Sequence, residues 1–131
     1  MSRYADLGDA LTLMMDSSLH QHWITEDIHQ CIITPMDCDQ YKIMRDHRGY
    51  PVAFCTWGFP TDDEIRLYQE TQRFPISGYK SQGKNAWVID FIAKKGYTLK
   101  GVRFFWKNFN QNNIFNVKWI RIKKMKVGWI N

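Results

Sequence analysis

Apolar and polar positions divide the chain into nine segments. Residues 4–15 place Tyr4, Leu7, Leu11, Met14 and Met15 at helical spacing. A second helix is expected to open at Ser17 or Ser18, either of which can cap it, and to run through His20 and Trp23 to Ile28 or Ile32. Pro35 should end it. Residues 40–45 and 51–57 read as two strands, joined by the glycine-bearing turn Asp46-His47-Arg48-Gly49-Tyr50. Thr61-Asp62-Asp63-Glu64 has the form of a capping box and predicts a helix over 62–72, with Ile65, Leu67 and Tyr68 on its apolar side. Residues 75–86 are polar and contain glycine, as a surface loop does. Residues 87–93 form an apolar strand, and 98–109 a helix that Gly101 weakens. Strands over 115–122 and 126–130 complete the series. This order predicts an α+β fold: one domain over residues 1–131, with a mainly antiparallel central sheet flanked by helices.

One position disturbs the pattern. The segment Trp87-Val88-Ile89-Asp90-Phe91-Ile92-Ala93 is apolar except for Asp90. An ionised carboxylate is too costly to bury without a partner. Strand alternation puts Trp87, Ile89, Phe91 and Ala93 on one face and Val88, Asp90 and Ile92 on the other. Asp90 is therefore expected on a cleft floor, opposite the segment that carries His20.

Composition narrows the class. The chain has 131 residues, 44% hydrophobic, which suits a single globular core. No apolar run reaches the roughly 18 residues of a membrane span, and the first residues lack the pattern of a signal peptide. Cys31, Cys38 and Cys55 are odd in number and form no CxxC, so neither a disulfide framework nor a zinc ribbon is indicated, and a cytoplasmic location is expected. The net charge of +5 is polarised. Residues 94–131 hold ten Lys or Arg and no Asp or Glu, while residues 1–93 hold eight basic and thirteen acidic residues. A basic stretch of this kind suits an acidic or polyanionic partner.

Four histidines offer chemistry. His20 and His22 are two apart, a poor spacing for joint metal ligands on a helix, and no third ligand is evident, so no metal is expected. His29 and His47 lack such surroundings. His20, near neutral pKa by residue type, suits a general base, and a carboxylate such as Asp90 can fix its tautomer and steady the imidazolium. Ser17, Ser18 and Cys55 are formal nucleophiles, but capping accounts for the serines and an apolar strand for the thiol. No phosphate-cradling or zincin motif is present.

Three stretches taken together resemble successive blocks of the RTX toxin-activating lysine acyltransferases. They are Ser17-Ser18-Leu19-His20-Gln21-His22-Trp23, Pro51-Val52-Ala53-Phe54-Cys55-Thr56-Trp57, and Trp87 to Ala93, with the acidic helix start Asp62-Asp63-Glu64-Ile65 between the last two. The pattern departs at Ser18, where the family has proline, and at Asn85-Ala86, where it has basic residues. The resemblance implies a GNAT-like fold and transfer of an acyl group from a thioester to the ε-amine of a lysine on a partner protein. It implies catalytic roles for His20 and Asp90, and substrate contacts for Ser17, Trp23 and Trp57. The donor it implies is acyl carrier protein, or acyl-CoA, as co-substrate, with no permanently bound cofactor. An acidic carrier protein would dock on Lys118, Arg121, Lys123, Lys124 and Lys126. A homodimer is compatible with this reading.

Two other readings remain open at the level of sequence. Trp119 and Trp129 interleave with those same cations, as in single-strand nucleic-acid binders. Alternatively, a degenerate acyltransferase could act by binding alone.

Overall fold

A computed structural model describes residues 3–119. Helix α1 (Arg3–Met15) is followed by a helical stretch made of α2 (Thr25–Ile28), a π-helical turn (His29–Ile33) and α3 (Thr34–Asp37). Then come β1 (Tyr41–Arg45), β2 (Pro51–Gly58), α4 (Asp62–Thr71), a 3-10 turn (Ile76–Tyr79), β3 (Ala86–Ala93), α5 (Thr98–Gln111) and β4 (Val117–Trp119). The fold is α+β, as the segment order predicts.

The four strands lie in the order β1-β2-β3-β4. β1–β2 and β2–β3 are antiparallel, but β4 runs parallel to β3. The sheet is thus mixed, not mainly antiparallel. The reason is the crossover: α5 returns the chain across one face of the sheet, so the next strand enters in the direction of β3. β4 begins at Val117 rather than 115, and the strand expected over 126–130 lies outside the described residues.

The sheet separates two apolar layers. On one face Phe54 and Ile92 meet Ala10, Leu13 and Met14 of α1, and Ile32 and Met36 from the second helical stretch. On the other, Ala53 and Cys55 meet Phe105 and Phe109 of α5. The buried face of α1 is Ala10, Leu13 and Met14; Tyr4 and Met15, expected to share it, are exposed. Phe54 is fully buried, so Phe54→Ala should cost about 3–5 kcal/mol.

Gly101 is a requirement of the α5 packing rather than a weakness. A Cβ there would stand 3.1 Å from the Phe91 ring and 3.2 Å from the Ala53 Cβ. The helix rests on the sheet through this missing side chain.

Three further expectations change. The second helix begins at Thr25, not at Ser17 or Ser18; residues 16–22 form tight turns instead. Pro35 does not end it. The Thr34 N–H and Oγ1 both donate to the His29 carbonyl, and this widened turn lets the chain continue past a residue that lacks an N–H. The 75–86 loop is not wholly on the surface, since Gly78 and Tyr79 are buried.

The α4 capping box forms as read. Glu64 N–H donates to Thr61 Oγ1 at 3.2 Å, and Thr61 N–H donates to Glu64 Oε1 at 2.9 Å. Tyr68 is buried and Ile65 half-buried, three residues apart on one face, whereas Leu67 points outward and is exposed. At the turn between β1 and β2, Gly49 takes φ 89°, a value only glycine adopts freely.

A second polar cluster ties α1 to β1. Arg45 Nη2 reaches Asp6 at 3.1 Å and Asp9 at 2.7 Å, and the Tyr41 hydroxyl donates to Asp6 at 2.6 Å. Burial, then that hydrogen bond and the Asp6 charge, push Tyr41 up to about 12.

Candidate active site

Two elements bring the site together. The first is the turn that follows α1. Ser17 N–H donates to the Met14 carbonyl at 3.0 Å, His20 N–H to Ser17 at 3.0 Å, and Trp23 N–H to His20 at 3.0 Å. These nested turns replace the expected helix and direct the His20 ring inward. Ser17 Oγ lies 2.6 Å from His20 Nδ1, and the Trp23 ring packs edge-on to the imidazole at 4.8 Å.

The second element is β3. His20 Nε2 stands 3.7 Å from Asp90 Oδ1, with the two side chains only 11% and 15% exposed. This is an ion-pair separation, too long for a direct hydrogen bond. The backbone N–H of Asp90 donates to Thr56 Oγ1 at 3.2 Å, across the β2–β3 pair.

β3 is irregular at this point. Thr56 pairs with Asp90 but Trp57 pairs with Val88, so Ile89 has no partner and forms a bulge. Strict alternation fails as a result. Val88 packs with Phe91 and Ala93 in the layer under α5, whereas Ile92 packs in the α1 layer. The sequence pattern had put Val88 on the face of Asp90 and Ile92; the bulge moves it to the opposite face.

The charge of Asp90 is felt by several neutral donors. Burial first, and then the Asp90 charge, push up the Cys31 thiol, the Tyr68 hydroxyl and the Tyr79 hydroxyl. The Cys55 thiol is pushed up for the same two reasons and is inert as a nucleophile. Sequence reasoning missed Thr56, Cys31, Tyr68 and Tyr79 as the surroundings of Asp90. The available signal was slight: Tyr79 is a large aromatic beside a glycine in an otherwise polar stretch.

The other expected site residues are placed as follows. Ser17 and Trp23 touch His20. Trp57 lies on the other face, its ring 4.9 Å from Phe109 under α5. Lys118 is exposed on β4; Arg121, Lys123, Lys124 and Lys126 lie outside the described residues. His22, His29 and His47 are exposed, and no group of three metal-binding side chains occurs among the described residues. No helix among them is long and apolar enough to cross a membrane. A cleft of about 320 Å³ opens at the far end of β3, between α4 and the following loop, lined by Ile65, Arg66, Lys84 and Trp87 among others; His20 and Asp90 are not in its wall.

A histidine and an aspartate facing each other from a turn and a strand define a site, not a family. The family is decided by sequence comparison: the model of the RTX toxin acyltransferase family matches residues 1–128. The chain belongs to that family.

Individual members agree with the match. A leukotoxin-activating lysine-acyltransferase of Mannheimia haemolytica is 29% identical over 93 residues, 70% of this chain and 54% of the relative. The RTX-II toxin-activating lysine-acyltransferase of Actinobacillus pleuropneumoniae is 31% identical over 91 residues, 69% of this chain and 56% of the relative. A protein-lysine myristoyltransferase of Kingella kingae is 29% identical over 98 residues, 73% and 57% respectively. The chain thus spans a little over half the length of these acyltransferases.

Proposed function

We propose that this chain is a protein-lysine acyltransferase, with His20 as general base and Asp90 as the group that orients it and steadies its charge. The observation that carries the reading is the array Ser17 Oγ, His20 and Asp90, set at 2.6 Å and 3.7 Å across the two ring nitrogens. Family membership supports the reaction class, since the relatives are lysine acyltransferases by name. A GNAT-like fold belongs to the same reading.

The setting selects a tautomer. A bare lone pair facing a carboxylate is unfavourable, so the neutral ring carries its proton on Nε2, toward Asp90. The basic nitrogen is then Nδ1, and the Ser17 hydroxyl donates to it. A lysine amine approaching from the Ser17 side passes its proton through Ser17 Oγ to Nδ1 as it attacks the thioester carbonyl. The C–N bond forms and the C–S bond breaks. The departing thiolate takes the proton back from His20, leaving an amide and a free thiol. Asp90 stabilises the transient imidazolium.

The donor proposed is acyl carrier protein. Lys94, Lys95, Lys100, Arg103, Lys107 and Lys118 are all exposed, in a region of sequence without a carboxylate side chain. Such a surface steers and orients an acidic carrier. The acceptor is a lysine-bearing partner protein.

The test is transfer of labelled acyl groups from acyl carrier protein to a toxin fragment containing acceptor lysines. Wild-type protein should label a lysine. His20→Ala and Asp90→Ala should lose the activity while keeping their circular dichroism. Full transfer by His20→Ala would end this assignment.

A further inference from the structure

We propose that Trp23 is a positioning residue for the acyl-transfer centre, its indole fixing the plane of the His20 ring between Ser17 and Asp90. The inference rests on the acyltransferase reading for its effect on rate, though not for its geometry. It replaces the substrate contact that the family resemblance implies for Trp23.

An imidazole is not held by its own torsions. Rotation about the bond to its ring has a broad profile, so wide swings of the ring cost little by themselves. The two polar neighbours of His20 do not set its plane. Asp90 Oδ1 stands 3.7 Å from Nε2, beyond a direct hydrogen bond, so that side leaves slack. Ser17 Oγ touches Nδ1 at 2.6 Å, but a hydroxyl on a half-buried turn follows its partner by rotating. A ring tilted about that contact would keep Ser17 and carry Nε2 away from Asp90.

Trp23 removes that freedom. Its ring centroid lies 4.8 Å from that of His20 at an interplanar angle of 74°, the edge-to-face arrangement that aromatic pairs favour. The indole is itself fixed from two sides. The Trp23 N–H donates to the His20 carbonyl at 3.0 Å, which closes the turn. The ring is half-buried and packs against the apolar layer that contains Leu13, Met14 and Ile32. The other large apolar side chains of residues 16–24, Leu19 and Ile24, are 44% and 63% exposed, so Trp23 is the one anchored in the core. The work is thus divided. The indole sets the plane of the imidazole, and Ser17 sets which nitrogen faces the turn. Asp90 then meets Nε2 without having to hold it.

The experiment compares the full chain with Trp23→Leu and Trp23→Met, which remove the planar ring, and with Trp23→Phe, which keeps one. The His20 tautomer is read by long-range nitrogen-15 NMR of the ring at alkaline pH, assigned by its loss in His20→Ala. Wild type should show the Nε2-protonated form, and Trp23→Leu and Trp23→Met a mixture of the two forms. In acyl transfer their kcat should fall by about ten- to a hundredfold with the KM for the donor little changed, as a misplaced base with intact binding requires. Trp23→Phe should keep the single tautomer and stay within about threefold of wild type in kcat. Circular dichroism identifies the folded variants, and either non-aromatic variant suffices. The wild-type tautomer and kcat in a folded Trp23→Leu or Trp23→Met would overturn the proposal. So would a loss carried by KM alone, since Trp23 would then contact substrate, or failure of both variants to fold, since the indole would then be structural. The NMR reading needs no turnover. A mixed tautomer in Trp23→Leu together with full transfer by His20→Ala would therefore retain the Trp23–His20 relationship while removing the acyltransferase mechanism.

Discussion

Thr56 Oγ1 accepts a 3.2 Å hydrogen bond from the backbone N–H of Asp90, and the Thr56 side chain is wholly buried. The strand that carries the carboxylate is thus held by a side chain as well as by its ladder. Replacement by valine keeps the shape and removes the acceptor. Thr56→Val should lose about 1 kcal/mol in urea unfolding and should reduce acyl transfer more than that loss alone would. Transfer at the wild-type level would show that Asp90 does not depend on this bond.

Ser17 is predicted to matter for rate and little for stability. It is half-buried at a turn, and its hydroxyl touches His20 Nδ1. Ser17→Ala should lower kcat/KM by about tenfold or more, with a stability change of roughly 0.5 kcal/mol or less. Ser17→Thr, which keeps the hydroxyl, should recover part of the rate. Steady-state kinetics with the three proteins tests this.

Gly101→Ala pits two effects against each other. Alanine in a helix interior gains about 1 kcal/mol over glycine. Here its Cβ would press against Phe91 and Ala53 at 3.1 and 3.2 Å. Overpacking of this kind costs about 1–3 kcal/mol, so the balance should be a lower melting temperature, and a lower one still for Gly101→Val. A rise in melting temperature for the alanine variant would mean that α5 can lift from the sheet without penalty.

Glu64 should give the protein an acid-sensitive helix start. Burial alone would raise its carboxyl, but hydrogen bonds from Ser77 and the Thr61 N–H outweigh it and hold the group below its ordinary 4.5. A folded value below the unfolded one adds stability that is full above about 4.5 and is lost as pH falls through the lower folded value. Urea unfolding of wild type and Glu64→Gln should therefore differ well above 4.5 and converge as pH falls below the lowered folded value. Thr61→Ala, which removes the other half of the box, should cost about 1 kcal/mol at either end of that range.

Much of the α+β order was legible because it rests on local rules. Thr61 and Glu64 announce a helix start by their own chemistry, and Gly49 announces a turn by its backbone freedom. The approach of His20 to Asp90 was open to chemical reasoning, since a carboxylate in an apolar strand needs a partner. The misreadings share another cause. Ser17 and Ser18 look like helix caps, yet Ser17 serves a side chain instead. Pro35 looks like a stop, but a π-helical turn absorbs it. Val88 changes face because of a bulge set by pairing with β2. The direction of β4 depends on where α5 lands. Each of these is decided by a tertiary partner that no local window contains.

The unpaired Ile89 also makes the spacing between Trp87 and Asp90 a setting with only one working value. Deleting one residue there, or adding one, would turn the carboxylate toward Phe105 and Phe109, into an apolar layer away from His20. The protein would then lose a counter-charge for His20 and gain an unpaired anion in its core. Length at this point in the strand is therefore expected to be held more strictly than the identity of Ile89 itself.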